Sequence, residues 1–198
     1  MAELGFWYDF ASTYSYVTAM RIGEVARVAS VVVRWRPFLL GPIFAGQGWP
    51  DSPFNIYPAK GCYMWRDMER LCVRERLAFR RPSVFPRHSV LAARIALVAE
   101  RKGWCPQFTS AVFAANFADD QDIAKPQTLA AILAGLGQPV DAVLARATAE
   151  ATKAGLRAQT EEAIRLGIFG APSFVVGEEL FWGNDRLAEA IAWARVDR

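Results

Sequence analysis

Histidine, cysteine and long apolar runs are scarce in this sequence, and their scarcity excludes several classes of protein. The chain has one histidine, His88, so a metal site built from several histidines of one chain is excluded. Its three cysteines, Cys62, Cys72 and Cys105, are odd in number and never spaced C-x-x-C, which argues against a disulfide framework or structural zinc. No uninterrupted apolar run reaches the roughly 18 residues of a membrane helix. We therefore expect no metal and a reducing compartment.

Composition and charge are those of a globular protein with a sizeable core. Of 198 residues, 53% are hydrophobic and 22% charged, which argues against disorder. The net charge of +3 is too small for a nucleic-acid-binding surface but leaves room for a small anionic substrate. The first ten residues include Glu3 and Asp9 instead of the basic start of a signal peptide. We expect a cytoplasmic protein that binds neither nucleic acid nor membranes.

The N-terminal part of the chain has a β-α-β pattern. Alternating aromatic residues predict a strand at 4–8, helical spacing follows at 12–29, and a second strand is predicted at 31–36. A Pro/Gly-rich stretch at 41–58 predicts a long irregular loop, and such loops are more often functional than accidental.

Strands return only near the C-terminal end. About a hundred residues of helical pattern precede two short strands at 173–176 and 180–182 and a final helix at 184–195. The order β-α-β, helical block, β-β-α is that of an α/β thioredoxin-like fold with a large all-helical insertion between its two halves. We accordingly predict a thioredoxin-like domain and a helical insertion domain, at residues 1–55 with 156–198 and at 56–155 respectively.

The first strand runs directly into a turn that carries Ser12 and Ser15 at the start of a helix. Backbone N–H groups and the helix dipole favour negative charge at such a position. Redox enzymes with this fold place C-x-x-C there, because the site lowers a thiol pKa. Here the same spacing is Ser12-x-x-Ser15, so dithiol exchange is excluded. Taken alone, this motif favours a role for both serines as helix caps.

A second motif, Gly170-Ala171-Pro172-Ser173, lies just before a predicted strand. Thioredoxin-like folds place a cis-proline facing the active site there. Only about 5–6% of X-Pro bonds are cis, but the position of Pro172 between a helix and the paired strands raises that expectation. A cis bond would leave the N–H and C=O groups of Ala171 free to pair with an extended peptide ligand.

Motifs spread along the whole chain resemble those of one family. They are Tyr8-Asp9-Phe10-Ala11-Ser12, Asn55 with Pro58-Ala59-Lys60-Gly61 and Tyr63, Phe85-Pro86, Gly167-Ile168-Phe169-Gly170-Ala171-Pro172, and Phe181-Trp182-Gly183-Asn184-Asp185-Arg186. The chain resembles the 2-hydroxychromene-2-carboxylate isomerases, relatives of the kappa-class glutathione transferases on a disulfide-oxidoreductase-like thioredoxin fold. The last two motifs together are quite specific.

The resemblance implies bound glutathione and a set of residues that hold it. Ser12 matches the family's catalytic serine, which hydrogen-bonds the sulfur of glutathione. Ala171, before the expected cis-Pro172, matches the position whose backbone pairs with the tripeptide. The family's segment that holds the γ-glutamyl end of glutathione corresponds here to Trp182, Gly183, Asn184 and Asp185.

The residues of this last segment suit that role on their own chemistry. Asn184 and Asp185 open a predicted helix, whose N–H groups suit a carboxylate, while the Asp185 side chain suits an ammonium group. Asn184 is also explained as a simple N-cap, and both roles are compatible.

The resemblance also implies a substrate site. Asn55 and Lys60 fall in the family's loop that contacts substrate or glutathione. His88 stands at a substrate-proximal position where the family pattern has asparagine, a departure that bears on the substrate.

The activity implied by the resemblance is glutathione-dependent cis–trans isomerisation of a small anionic, aromatic-derived keto acid. The type reaction converts 2-hydroxychromene-2-carboxylate to trans-o-hydroxybenzylidenepyruvate, with a thiolate adding to a conjugated carbon and then leaving. A kappa-class-like glutathione transferase, which would keep the conjugate, is an alternative, and so is a non-catalytic thioredoxin-like binding protein. A homodimer is left open.

Overall fold

The computed structural model describes residues 2–196 and contains one four-stranded sheet with helices around it. The strands are β1 (Glu3–Tyr8), β2 (Val32–Pro37), β3 (Ser173–Val176) and β4 (Glu179–Trp182). The helices are α1 (Thr13–Ala29), α2 (Leu40–Gly46), α3 (Pro53–Ile56), α4 (Pro58–Glu75), α5 (Val90–Glu100), α6 (Cys105–Phe117), α7 (Pro126–Gly135), α8 (Val140–Thr148), α9 (Glu150–Arg165) and α10 (Leu187–Val196). A 3₁₀ turn, Asn184–Arg186, leads into α10.

The sheet joins the two ends of the sequence. Its strand order is β2-β1-β3-β4, with β1 parallel to β2 and antiparallel to β3, and β3 antiparallel to β4. Helices α2 to α9 lie between the two strand pairs in the chain. The predicted α/β thioredoxin-like fold with a large helical insertion is therefore confirmed.

Aromatic side chains hold the centre of the sheet together. Phe6 on β1 lies opposite Trp35 on β2 and Phe174 on β3, with ring centroids 5.2 and 5.9 Å away respectively. Such cross-strand aromatic contacts stabilise a sheet beyond the burial of their area. The Tyr8 hydroxyl, buried next to them, lies 2.7 Å from Oγ1 of Thr109 on α6 and so ties the first strand to the helical region.

The expectation of a long irregular loop at 41–58 is wrong. Helices α2 and α3 occupy most of this stretch, and α4 begins at Pro58. Proline is tolerated in the first turn of a helix, where its missing N–H would have no intrahelical partner. Pro53 is the first residue of α3, whose N-cap Ser52 accepts a hydrogen bond from the Phe54 N–H at 3.3 Å.

The predicted domain limits remain a prediction. The limit between residues 155 and 156 falls inside α9. Buried side chains from the strands and from the helical block belong to one apolar cluster. Positions 1, 197 and 198 lie outside the described residues. Among the helices of residues 2–196, none combines the length and the apolar character required to cross a bilayer.

Candidate active site

A cleft of about 1730 Å³ lies between the thioredoxin-like strands and the helices that follow them. Ligand pockets are typically about 300–1,000 Å³, so this cleft has room for two small molecules. It is lined by the turn after β1, by α2, α3 and α4, and by the segments at 85–90, 169–172 and 182–186. The structure brings all the predicted site residues except Asn55 into its lining.

Ser12 lies in the cleft at the start of α1 and is almost completely buried. It is the N-cap of that helix, and its Oγ accepts a hydrogen bond from the Ser15 N–H at 3.2 Å. The same hydroxyl donates to the carbonyl oxygen of Ala171 at 2.9 Å. The capping role uses the oxygen of Ser12 as an acceptor and leaves its proton to donate, and in this structure the proton is donated to Ala171.

The Ala171–Pro172 peptide bond is cis and lies against the Ser12 hydroxyl. The expectation that both backbone groups of Ala171 are free is half correct. Its carbonyl oxygen is engaged by Ser12, whereas its N–H has no hydrogen-bond partner within residues 2–196. The other side of this turn is fixed by the Gly183 N–H, which donates to the Pro172 carbonyl oxygen at 3.0 Å.

Asp9, just before the Ser12 turn, is a buried carboxylate that lines the cleft. Its two oxygens accept hydrogen bonds from the backbone N–H groups of Ala11 at 2.9 Å and Leu40 at 2.8 Å. Burial raises the pKa of Asp9, while these two N–H groups, the Ser89 hydroxyl and the charge of His88 act in the opposite direction. One carboxylate thereby connects the Ser12 turn to the start of α2.

The Trp182–Gly183 segment forms the edge of the cleft beside the cis-proline. The half-exposed indole of Trp182 packs on Phe169, with ring centroids 4.8 Å apart. A Cβ atom on Gly170 would collide with that indole, so a glycine is needed there. Gly183 has a φ of 115°, and a Cβ on it would lie 2.5 Å from Oδ1 of Asp185. These two glycines allow the segment to fold back over Pro172.

Asn184 and Asp185 play different parts in this segment. Asn184 is buried, and its Oδ1 accepts a hydrogen bond from Oγ1 of Thr18 on α1 at 3.0 Å. The Asp185 side chain is 81% exposed, with only a 3.9 Å contact to Arg186. The N-cap of the 3₁₀ turn is Gly183, so Asn184 is not the N-cap. Asp185 is thus the carboxylate that this edge offers to a cationic group.

The helical side of the cleft carries the predicted substrate residues, with one exception. Lys60 and His88 are exposed side chains in the lining, and the Lys60 ammonium lies 4.8 Å from the Tyr57 ring centroid. Asn55 lies outside the lining. Its amide donates to Asp51 at 2.9 Å and to the Phe85 carbonyl oxygen at 3.2 Å, so it connects the residues before α3 to the segment before α5.

Sequence reasoning missed several residues of the site. Asp9 was part of a motif without an assigned role, although an aspartate before a turn often accepts backbone N–H groups of that turn. Tyr14 lines the cleft and donates its hydroxyl to Asp67 at 3.0 Å. Thr18, which holds Asn184, gives no local signal because its partner lies at the far end of the chain.

The fold and the site define a thioredoxin-fold protein with a serine where redox members of the fold carry a thiol. Residues 3–191 match the family described as the DsbA-like thioredoxin domain, and the chain belongs to that family. No cysteine is among the residues of the 2–196 segment that line the cleft.

Comparisons with individual proteins give a narrower similarity. The chain is 26% identical over 186 residues to a 2-hydroxychromene-2-carboxylate isomerase of Sphingobium xenophagum, with 93% of each chain covered. It is 25% identical over 195 residues to glutathione S-transferase kappa 1 of Homo sapiens, covering 91% of this chain and 85% of the relative. A solved structure of a 2-hydroxychromene-2-carboxylate isomerase matches 98% of this chain and 95% of its own with a TM-score of 0.87, at 22% identity. The resemblance seen in the sequence is confirmed.

Proposed function

We propose that this protein is a glutathione-dependent cis–trans isomerase that acts on a small anionic keto acid derived from an aromatic compound. The reaction is of the type that converts 2-hydroxychromene-2-carboxylate to trans-o-hydroxybenzylidenepyruvate. The observation that carries the proposal is the Ser12 hydroxyl, which lies at the start of α1 in the cleft and donates to the Ala171 carbonyl oxygen at 2.9 Å. A hydroxyl held in this way can redirect its proton to an anionic sulfur.

The residues around Ser12 fit glutathione. The Ala171 N–H, without a partner in the described residues, is a donor for the carbonyl group of an extended peptide, and its carbonyl oxygen becomes an acceptor when Ser12 turns away. The exposed carboxylate of Asp185 suits the α-ammonium group of a γ-glutamyl end. When bound, glutathione supplies a thiolate that can add to, and leave, a conjugated carbon.

The free energies involved show why Ser12 is needed. Lowering a thiol pKa from about 8.5 to about 6.5 requires about 2.7 kcal/mol of preferential stabilisation of the thiolate. A helix N-terminus supplies about 0.3–1 kcal/mol. A charge-assisted hydrogen bond adds about 1.5–3 kcal/mol. Neither contribution reliably meets the requirement alone, whereas their sum of about 1.8–4 kcal/mol spans it.

The experiment that tests the proposal is glutathione binding, followed by thiolate absorbance across pH. We expect binding at millimolar glutathione or below, with the bound thiol ionising at lower pH than free glutathione. Turnover of 2-hydroxychromene-2-carboxylate then tests the substrate. Absence of binding at millimolar glutathione would overturn both the cofactor and the isomerase activity.

A kappa-class-like glutathione transferase is the second candidate, favoured by the 25% identity to glutathione S-transferase kappa 1. It would use the same Ser12 hydroxyl but release a stable conjugate. Product analysis with a chlorinated aromatic electrophile and with the hydroxychromene acid separates the two activities. Either activity needs reduced glutathione, which agrees with our expectation of a cytoplasmic protein.

A further inference from the structure

We propose that His88 is the proton donor and acceptor of the isomerisation. The proposal rests on the proposed function and adds a catalytic group to it. Ser12 at the start of α1 and His88 before α5 line one cleft, so both adjoin the space in which glutathione and substrate would bind.

The segment that carries His88 is firmly held. The guanidinium of Arg87 is buried and donates to Oδ1 of Asn116 at 2.9 Å, and it also pairs with Asp120. The Asn116 amide in turn donates to the carbonyl oxygen of Phe10, in the turn before Ser12, at 2.9 Å. The position of His88 is thereby coupled to that of the catalytic turn. The imidazole itself is exposed to the cleft.

The other charged side chains of the cleft are mostly engaged. These are Asp9 with the N–H groups of Ala11 and Leu40, Arg74 with Glu75, Arg87 with Asp120, Arg186 with Glu189, Asp51 with Asn55, and Asp67 with Tyr14. The exposed Asp185 has only its 3.9 Å contact to Arg186. Lys60 and His88 line the cleft and make no ion pair within residues 2–196. A lysine ammonium holds its proton tightly near neutral pH, whereas an imidazole gives and takes one readily. Lys60 therefore suits the substrate carboxylate, and His88 suits proton transfer.

The protons and electrons of the proposed addition, rotation and elimination balance. Opening of the cyclic hemiketal breaks the ring C–O bond, moves the hydroxyl proton to the phenol oxygen and gives the conjugated keto acid. When the sulfur–carbon bond then forms, the electron pair of the C=C bond moves to the carbonyl oxygen of that keto acid. The imidazolium of His88 gives its proton to that oxygen and becomes neutral. After rotation about the new single bond, the neutral ring takes the proton back, the C=C bond re-forms and the sulfur leaves with its electron pair. No proton, oxidant or reductant is consumed.

The first test is an NMR titration. The chain has a single histidine, so the imidazole signal in the spectrum is assigned to His88 directly. The probe is 4-phenyl-2-oxobutanoate, an aromatic keto acid without a C=C bond, added in the absence of glutathione. We expect the His88 signal to move in a saturable manner in the wild-type protein and in Val84→Ala, an exposed position on the same segment outside the cleft lining. An unmoved signal would overturn the contact.

The second test compares turnover in two variants. His88→Ala is expected to lower kcat by about 10²-fold or more, with partial rescue by added imidazole. His88→Asn, which keeps a hydrogen-bond donor but transfers no proton, is expected to fall between the alanine variant and wild type. If His88→Asn turns over as fast as wild type, a hydrogen bond suffices and proton transfer by His88 is overturned.

Binding of glutathione separates this proposal from the one it rests on. Both variants should bind glutathione and ionise its thiol as wild type does. If wild type itself neither binds nor ionises glutathione, the proposed function fails. If those properties are intact and His88→Asn keeps full turnover, only the role of His88 fails.

Discussion

The two walls of the cleft differ in how their functional groups are held. On the thioredoxin-like wall, Ser12 and Asn184 are buried and hydrogen-bonded, and they lie beside the backbone of Ala171. On the helical wall, Lys60 and His88 project as exposed side chains. Fixed backbone and short side chains suit one invariant ligand, whereas exposed side chains can be exchanged without disturbing the fold. In the proposed function, the first wall therefore suits glutathione and the second suits the substrate.

Arg87 anchors the helical wall, and its replacement gives the largest loss of stability predicted here. Removing its buried guanidinium leaves the Asn116 side-chain and backbone acceptors unpaired, so we expect Arg87→Ala to lower the free energy of unfolding by about 3–5 kcal/mol. Arg66→Ala is the matched control, because its pair with Glu69 is exposed and should be worth about 0–1 kcal/mol. Urea unfolding measures both. Equal losses in the two variants would contradict an anchoring role for Arg87.

Ser12→Ala tests the thioredoxin-like wall. Loss of the hydroxyl donor should raise the pKa of bound glutathione by about a unit or more, equivalent to about 1.5–3 kcal/mol of thiolate stabilisation. Turnover at neutral pH should fall about threefold or more, in proportion to the ionised fraction of the thiol, and recover partly at higher pH, where the thiol ionises without help. Thiolate absorbance across pH measures the shift.

Ser15→Ala is the control for this change. The Ser15 hydroxyl is buried without a partner in the described residues, and only the backbone N–H of Ser15 contacts Ser12. The control should therefore retain the wild-type ionisation of glutathione. If Ser12→Ala also retains it, Ser12 acts only as a helix cap.

The difference between the walls also explains what the sequence could reveal. Ser12, Pro172 and Gly183 belong to local motifs tied to a strand end or a turn, so their place in the cleft was predictable. The role of Asp9 was not, because its partner Leu40 is brought to it by the fold. Asn55 was expected to touch a ligand, but its amide is used by Asp51 and Phe85.

Helices α2 and α3 were not predicted for a related reason. Proline and glycine in residues 41–58 lower the helical signal, although proline in a first turn costs little. Only the contacts of α2 and α3 with the rest of the protein show that these short segments are ordered. Composition alone could not distinguish them from a loop.

Gly183→Ala should have a smaller effect than Ser12→Ala and should act on binding. Its φ of 115° strains any residue with a Cβ, and that atom would lie 2.5 Å from Oδ1 of Asp185. Displacement of Asp185 should weaken glutathione binding by about tenfold, or about 1.4 kcal/mol, while the bound thiol keeps its pKa. Calorimetry measures the affinity. Gly103→Ala, also at positive φ but with no neighbour near its Cβ and outside the cleft lining, controls for backbone strain alone.

The smallest effect is expected from the cysteines, which test whether either wall contributes a redox thiol. Cys72 and Cys105 are buried, and burial raises the pKa of each to about 11, so neither should react with a thiol reagent in the folded protein. Cys62 is exposed on α4 but outside the cleft lining. We expect one reactive thiol in the native protein and three after denaturation. Cys62→Ser should retain full turnover, and a loss of activity in that variant would mean that the helical wall supplies a thiol to the reaction.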